Sequence, residues 1–257
     1  MVNPFLVPKS HYMRKVQLLT FESMRQARSF AGDLDIELMS AQFPEDRRFV
    51  PKGFTETKPL RGSTMDVAAL PGLKKLPFIG EILQKLYEST DKEFAIYSNV
   101  DVGFMPHFYR YVYGLLSEGY DALIINSCWV TPQPATVDKL YLIWSQIGPP
   151  RGGFDCFVFR RDCIPKFSFA NCCTGAPPFG RIVLVNMRRQ AKNMLIVTDS
   201  DNSFHLRDKQ AWVNKNFNAY KLYNLSQAKK AGMIVRPKSK KRQIIGFPDE
   251  TKAALVS

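Results

Sequence analysis

Residues 94–101 read FAIYSNVD, in which Phe94 to Ser98 predict a short central strand and Asn99-Val100-Asp101 forms a polar turn after it. The flanking segments predict helices that pack on a sheet. Downstream, Pro106 suits the first turn of a helix that ends at Gly119. Upstream, apolar side chains recur at the helical spacing i, i+3, i+4, i+7 and i+8: Ile79, Ile82, Leu83, Leu86 and Tyr87.

The segments before this centre predict a β-α-β opening. Val16 to Phe21 (VQLLTF) reads as a buried strand, Glu22 to Arg28 as a helix, and Ile36 to Phe43 as a second strand. That order favours a parallel sheet covered by helices. Residues from Pro44 to about Leu73 are rich in charge, Pro, Gly, Thr and Ser, and predict a long functional loop.

The later segments continue the alternation of helices and strands. We predict strands over Asp121–Asn126, Phe154–Phe159 and Met194–Thr198, and a helix over Ile182–Lys192. No shift in composition interrupts them. The sequence therefore predicts an α/β fold: one Rossmann-like domain over residues 1–228, with a mixed, mostly parallel sheet flanked by helices, and a basic C-terminal tail over 229–257.

Composition excludes several classes of protein. A chain of 257 residues with 45% hydrophobic residues can bury a sizeable core, so it is not disordered as a whole. It has neither a signal-peptide pattern nor an 18-residue apolar stretch, and we expect a soluble, cytoplasmic protein without a transmembrane segment. Five cysteines without a CxxC pair indicate a reducing compartment and no zinc site.

The net charge of +13 is not evenly spread: the last 29 residues carry +6 and the rest of the chain +7. From Lys229 onward there are eight Lys and Arg against Asp249 and Glu250. A run such as Lys238–Arg242 is usually a solvated tail and less often a contact with nucleic acid or an anionic membrane. Nucleic-acid binding is thus a rival function, although the aromatic residues follow core periodicities rather than alternating with Lys and Arg.

The turn at residues 99–101 is the first candidate site. Ligands of open α/β sheets bind at the carboxyl ends of the strands, where this turn lies. In extended backbone Asn99 and Asp101 would point the same way and present an amide and a carboxylate to one ligand. A carboxylate there suits Mg²⁺ or Mn²⁺. The alternative is a structural Asx turn.

The order of amphipathic helix, apolar strand, D-x-D-like turn and Pro-initiated helix resembles the centre of the nucleotide-diphospho-sugar transferase fold, called GT-A. The resemblance covers roughly residues 15 to 210. It implies a glycosyltransferase that moves a sugar from a UDP- or GDP-linked donor to a hydroxyl of a glycan or another acceptor, with Mn²⁺ or Mg²⁺ as cofactor.

The resemblance also implies roles for the two polar residues of the turn. In the family the D-x-D carboxylates hold the metal and the ribose and diphosphate of the donor, which here falls to Asn99 and Asp101. Asn99 departs from the family pattern because it replaces the first acid. An amide permits a hydrogen bond to ribose but weakens metal binding, so a GT-A-like binding module without turnover is the alternative.

Two more roles follow from the same resemblance. Family members often supply a late histidine as a metal ligand, which points to His205, with His107 as the alternative and an ordinary polar role as the plainer one. Inverting members use a carboxylate as the base for the acceptor hydroxyl, which points to Asp155. Asp155 enters an apolar strand after a Gly-rich turn, where a carboxylate is costly unless it is used or paired; a loop cap is the other reading.

The rest of the donor site is less constrained by motifs. Asp46, after the second predicted strand, suits a nucleobase or ribose hydroxyl. Arg61 or Lys75 suits the diphosphate, because cationic side chains match phosphate oxygens. An exposed loop without a ligand is equally compatible with these positions.

Overall fold

The computed structural model describes residues 1–4, 11–67, 70, 74–132, 135–198, 201–206, 217–237 and 243–246. The α-helices in these ranges are α1 (His11–Ala31), α2 (Ile79–Ser89), α3 (Phe108–Ser117), α4 (Tyr141–Trp144), α5 (Phe179–Gln190) and α6 (Phe217–Lys230). The strands are β1 (Met39–Ser40), β2 (Thr55–Glu56), β3 (Phe94–Ser98), β4 (Val102–Phe104), β5 (Ala122–Ile125), β6 (Cys128–Val130), β7 (Cys156–Arg160), β8 (Met194–Val197), β9 (Ser203–Leu206), β10 (Ile234–Pro237) and β11 (Gln243–Gly246).

The strand predicted at Val16–Phe21 is wrong, because these residues belong to α1. A six-residue apolar run does not distinguish a strand from a buried helical segment. The buried stripe of α1 recurs every three or four residues and includes the polar Thr20 and Ser23. Ser23 is satisfied there: its Oγ donates to the carbonyl of Thr20 at 2.6 Å and accepts from the Phe104 amide at 3.0 Å.

An extended segment at residues 1–3 takes the place predicted for that first strand. The Val2 amide donates to Met39 O at 3.0 Å, and Val2 O accepts from Ala41 N at 3.0 Å. On its other side, Met1 hydrogen bonds to Ile96 and Ser98 of β3, at 2.7 Å and 3.2 Å. Both patterns are those of parallel pairs. The chain therefore has a β-α-β opening, in which residues 1–3 precede α1 and β1 follows it.

The central sheet has the order β3-β7-β5-β8. Its strand β7 is antiparallel to both neighbours, whereas β5 and β8 are parallel, so three of the four strands run in one direction. A second sheet has the order β4-β9-β6. The α/β class with a mixed sheet and flanking helices is confirmed.

The seven strands and helices predicted after residue 75 are all present in the structure. The predicted strands correspond to β3, β5, β7 and β8, and the predicted helices to α2, α3 and α5. Gly119 follows α3 with φ +96, a conformation that favours glycine. Within the segment predicted as a loop from Pro44 to Leu73, the described residues include 3-10 helices at Pro44–Phe49 and Thr64–Asp66 and the short strand β2.

The chain divides into two compact units by contacts. Unit 1 comprises residues 1–60, 85–161 and 191–209, and contains both sheets just described. Unit 2 comprises residues 61–84, 162–190 and 210–257 and contains α5, α6 and the antiparallel pair β10–β11. Helix α6 ends at Lys230, just past the predicted boundary at 228, which itself stays a prediction.

The two units differ sharply in charge. The sequence of unit 1 has 19 Lys and Arg with 18 Asp and Glu, whereas unit 2 has 17 Lys and Arg with five Asp and Glu. Unit 2 therefore carries +12 of the net +13. The basic run Lys238–Arg242 lies outside the described residues. Among the residues that the structure describes, no helix combines the length and the apolar character needed to cross a membrane.

Candidate functional site

The polar turn after β3 lies at one edge of the unit 1 sheet, where the parallel segments end. We call this the carboxyl edge: residues 1–3 and strands β1, β3, β5 and β8 end there, and the antiparallel strand β7 begins there. Asn99 follows β3 at this edge, and Asp155 directly precedes β7. Such edges are the usual ligand sites of open α/β sheets.

Asp101 and His205 form the first pair of the site. Asp101 Oδ2 lies 3.0 Å from His205 Nε2, and their side chains are 25% and 5% exposed. The sheet sets this contact, because Val102 of β4 pairs with His205 of β9. Asp101 O also accepts from the Leu206 amide at 3.3 Å. The histidine predicted as a metal ligand is thus brought to the acid predicted to share that role.

Both ring nitrogens of His205 lie near oxygen atoms that accept hydrogen bonds. Its Nδ1 lies 3.2 Å from the carbonyl of Leu206, and Nε2 faces the carboxylate of Asp101, so both neighbours are acceptors. A neutral imidazole has a single N–H. A neutral ring therefore donates to one of these two acceptors, and which one depends on the tautomer.

The pKa of Asp101 is lower than its ordinary value. Burial acts to raise this pKa, but the hydrogen bond from His205 and the charges of His205 and Arg151 lower it by more. Asp101 is consequently an ionised carboxylate, and a quarter of its side chain reaches solvent. It is the acid of this edge that is suited to hold a cation.

Asn99 and Asp155 form the second pair. Asn99 Nδ2 donates to Asp155 Oδ1 at 3.1 Å, and the Asn99 amide donates to Asp155 O at 3.2 Å. The prediction of extended backbone through the turn is wrong, because the Val102 amide closes it by donating to Asn99 O at 3.2 Å. The two polar side chains of the turn therefore have different partners: Asn99 contacts Asp155, and Asp101 contacts His205.

Arg151 and Trp129 connect the two pairs, and the sequence patterns did not identify either residue. The Arg151 guanidinium contacts Asp155 Oδ2, and its Cζ lies 5.0 Å from the centre of the Trp129 ring. Trp129 also packs edge-on against His205, with ring centres 4.8 Å apart. Burial lowers the pKa of Arg151, and the negative charge of Asp101 opposes that shift. The signal available in the sequence was weak: one cation within the turn PPRGG.

The residues present fit a divalent cation with an incomplete protein shell. Asp101 Oδ2 and His205 Nε2, which lie 3.0 Å apart, are the two side-chain atoms that would hold it. Among the described residues there is no cluster of three or more His, Cys, Asp or Glu placed to hold a metal. Water and phosphate oxygens would supply the remaining ligands.

The remaining predicted residues lie on other segments. Asp46 is buried in the 3-10 helix Pro44–Phe49 of unit 1. Arg61 belongs to unit 2, has an exposed side chain, and donates its backbone amide to Glu81 Oε1 at 2.8 Å. His107 is exposed and lies 3.1 Å from Asn202 Oδ1. The structure thus gathers Asn99, Asp101, Asp155 and His205, while binding roles for Asp46 and Arg61 stay predictions.

Solved structures share this architecture. Residues 1–349 of S. aureus TarS, crystallised in complex with UDP-GlcNAc, match with a TM-score of 0.50 at 9% identity, over 81% of this chain and 58% of that chain. The fold is that of the GT-A glycosyltransferases. This chain therefore spans less than two thirds of that TarS fragment.

A second structure with the GT-A fold is glucosyl-3-phosphoglycerate synthase from Mycobacterium tuberculosis, in complex with Mn²⁺, UDP and phosphoglyceric acid. It has a TM-score of 0.47 at 15% identity, over 98% of this chain and 89% of that chain. No protein-family model matches the sequence, and a search of curated proteins gave no match. The likeness is one of fold.

Proposed function

We propose that this chain is a glycosyltransferase that takes a sugar from a nucleotide-diphosphate donor and transfers it to a hydroxyl of a glycan or another acceptor. The observation that carries the proposal is the pair Asp101 and His205 at the carboxyl edge of a GT-A fold. TarS, which shares the fold, was crystallised with UDP-GlcNAc, and we take a UDP-linked sugar as the first donor to test.

In this proposal Asp101 and His205 hold Mn²⁺ or Mg²⁺. The ion, when bound, supplies Lewis-acid stabilisation of the departing diphosphate. Asp101 suits the role because it is a partly exposed carboxylate, and His205 because its Nε2 lies 3.0 Å from that carboxylate while its Nδ1 lies 3.2 Å from Leu206 O. Asn99 contributes an amide beside the same site, suited to a ribose hydroxyl.

Asp155 is the proposed general base. It would accept the proton of the acceptor hydroxyl while that oxygen bonds to the sugar and the bond from sugar to diphosphate breaks. The hydrogen bond from Asn99 fixes Oδ1, so Oδ2 is the oxygen available for the proton. Its contact with Arg151 must be given up during the reaction.

The rest of the donor site belongs to the proposal as well. Asp46, which lies in unit 1 with Asn99 and Asp101, would accept from the nucleobase or a ribose hydroxyl. No disulfide joins any of the five cysteines, all of which lie in the described part of the chain, and we propose a reducing compartment such as the cytoplasm.

A binding module without turnover is the alternative that one observation favours. Because Asn99 replaces an acid and its amide is engaged by Asp155, the turn contributes a single carboxylate, Asp101. Such a site would bind a nucleotide sugar with less help from a metal. Asp155 would then be a structural partner of Asn99 and Arg151.

A thermal-shift panel tests the proposal. Purified protein is melted with UDP, GDP and their sugars, with and without Mn²⁺, and bound ligand raises the melting temperature by mass action. We expect stabilisation by one nucleotide family that increases with Mn²⁺. No stabilisation by any of them would overturn the proposal. Donor binding without sugar transfer or donor hydrolysis, unchanged by Asp155→Asn, would favour the binding module.

A further inference from the structure

Arg151 is a buried cation whose guanidinium lies over the ring of Trp129. Its side chain is 12% exposed and that of its partner Asp155 is 10% exposed. The loop that carries it is hydrogen-bonded to the segment around β6: Arg151 N donates to Ser127 O at 2.8 Å, and Trp129 N donates to Pro149 O at 2.9 Å. The indole below the guanidinium therefore belongs to a segment that is hydrogen-bonded to the loop carrying Arg151.

The Arg151 guanidinium connects the two pairs of this edge. It contacts Asp155 directly, and the Trp129 ring beneath it packs edge-on against His205, the partner of Asp101. A buried ion pair contributes little stability compared with apolar packing, so stability alone is a weak reason for this arrangement. Guanidinium groups match phosphate oxygens as well as carboxylates, through parallel N–H bonds. A diphosphate held beside Asp101 would compete with Asp155 for Arg151.

We propose that Arg151 is a positioning residue that couples donor binding to the freeing of Asp155. This inference rests on the proposed function. Without a donor, the guanidinium engages Oδ2 of Asp155. When a nucleotide diphosphate binds beside Asp101, the guanidinium turns on the Trp129 face toward the phosphate oxygens, and Oδ2 is released to accept a proton from the acceptor.

The exchange has a defined consequence for the order of events. One ion pair replaces another, so the guanidinium stays paired with an anion throughout, and Trp129 stays against its face. Asp155 becomes competent as a base only after the donor is in place. Neither an acceptor hydroxyl nor water can therefore transfer its proton to Asp155 until the diphosphate is bound.

Trp129 supplies a direct readout of this movement, because a change in the cation above an indole changes its emission. The protein has three tryptophans, so the measurement uses the variant Trp144→Phe/Trp212→Phe, which keeps Trp129. UDP with Mn²⁺ is titrated while emission and melting temperature are followed. We expect the emission of Trp129 to change with the same midpoint as the thermal stabilisation.

Two substitutions of Arg151 distinguish the effect of its positive charge from the effect of the shape of its guanidinium group. Arg151→Gln removes the cation, and we expect the midpoint for UDP to rise about tenfold, the equivalent of one lost charge-assisted hydrogen bond, with no change in emission. Arg151→Lys keeps the charge, and we expect it to retain part of the affinity. Melting curves without ligand establish whether each variant is folded. If Arg151→Gln does not fold, the comparison with the parent uses Arg151→Lys.

The outcomes distinguish this inference from the function on which it rests. If UDP stabilises the protein but the Trp129 emission does not change, or if Arg151→Gln and Arg151→Lys both bind UDP as the parent does, the role of Arg151 is overturned and the proposed function stands. If UDP and the other nucleotides stabilise neither parent nor variant, the proposed function fails first.

Discussion

His205 Nε2 lies 3.0 Å from Asp101 Oδ2, and the pairing of Val102 with His205 in the second sheet holds the two side chains at that distance. The other ring nitrogen faces the carbonyl of Leu206 at 3.2 Å. The imidazole is therefore fixed in orientation by a backbone group before any ligand arrives. Fixed ligands of this kind bind a cation without first being ordered.

We expect His205→Ala to abolish the part of UDP stabilisation that depends on Mn²⁺. The imidazole provides one of two protein ligands, and the loss of a ligand weakens metal binding strongly. His107→Ala is the matched control, because His107 is exposed and contacts Asn202 instead. The measurement is the melting temperature with UDP at increasing Mn²⁺. Equal responses of the two variants would contradict the assignment of His205.

We expect Asp101→Ala to remain folded and to lose metal-assisted donor binding. The side chain is 25% exposed, so its removal leaves little cavity, although His205 loses a partner at a cost of about 1–3 kcal/mol. Circular dichroism establishes the fold, and titration of UDP with and without Mn²⁺ measures binding. A variant that still responds to Mn²⁺ as the parent does would rule out Asp101 as a ligand.

The dependence of the free energy of unfolding on acid pH gives an independent check that Asp101 is paired in the folded protein. Its folded pKa is lower than the ordinary 3.8, so its ionised form stabilises the fold above that value. This contribution is lost as the pH falls through the lower, folded pKa. We therefore expect the difference in free energy of unfolding between the parent and Asp101→Asn to be larger near pH 5 than near pH 3, because protonation of Asp101 removes its contribution. Denaturant titrations between pH 3 and pH 7 measure it, and a difference independent of pH would contradict the pairing.

The central turn was predictable because its signals are local. An apolar strand, a polar turn and a Pro-initiated helix are contiguous in the chain, and they located Asn99 and Asp101 at the end of β3. The partners of these residues were not predictable from spacing, since sheet register brings Asp155 and His205 to them. The GT-A resemblance identified both residues as candidates, and the register shows what each one contacts.

The errors also have physical causes. Val16–Phe21 is as apolar as a strand, and only its continuation through Ser23 reveals the helical stripe of α1. Arg151 follows two prolines and precedes two glycines, a composition typical of a turn, and nothing local shows that its side chain stacks on Trp129. Long-range packing decides both features, so a window of neighbouring residues does not contain them.

The loop that carries Gly148 and Gly152 lies close to β6, and we expect alanine to affect stability differently at these two positions. A Cβ on Gly148 would overlap the carbonyl of Trp129, whereas a Cβ on Gly152 would meet no described atom within 4 Å. We expect Gly148→Ala to destabilise the protein by about 1–3 kcal/mol and to displace Trp129, the residue below Arg151. Gly152→Ala, the control in the same loop, should change stability by less than about 1 kcal/mol. Urea denaturation measures both, and equal losses would contradict the close contact.

The charge of unit 2 predicts salt-dependent binding to anionic phospholipid. With +12 in this unit and +1 in unit 1, attraction to a negative surface should depend on unit 2. Lys229 and Lys230 end α6 with exposed side chains and are the described residues chosen for reversal. Each basic residue near an anionic membrane contributes about 1 kcal/mol, so Lys229→Glu/Lys230→Glu should weaken vesicle binding more than tenfold.

The matched control reverses two exposed lysines of unit 1, Lys52→Glu/Lys58→Glu, which makes the same change in net charge. Sedimentation with vesicles of phosphatidylcholine, with and without phosphatidylserine, is compared at low and high salt. Screening should remove the binding as the Debye length falls from about 10 Å at 0.1 M salt to about 3 Å at 1 M. Equal losses in the two double variants would show that net charge, rather than the surface of unit 2, determines the binding. Binding that salt does not weaken would show that electrostatic attraction is not its cause.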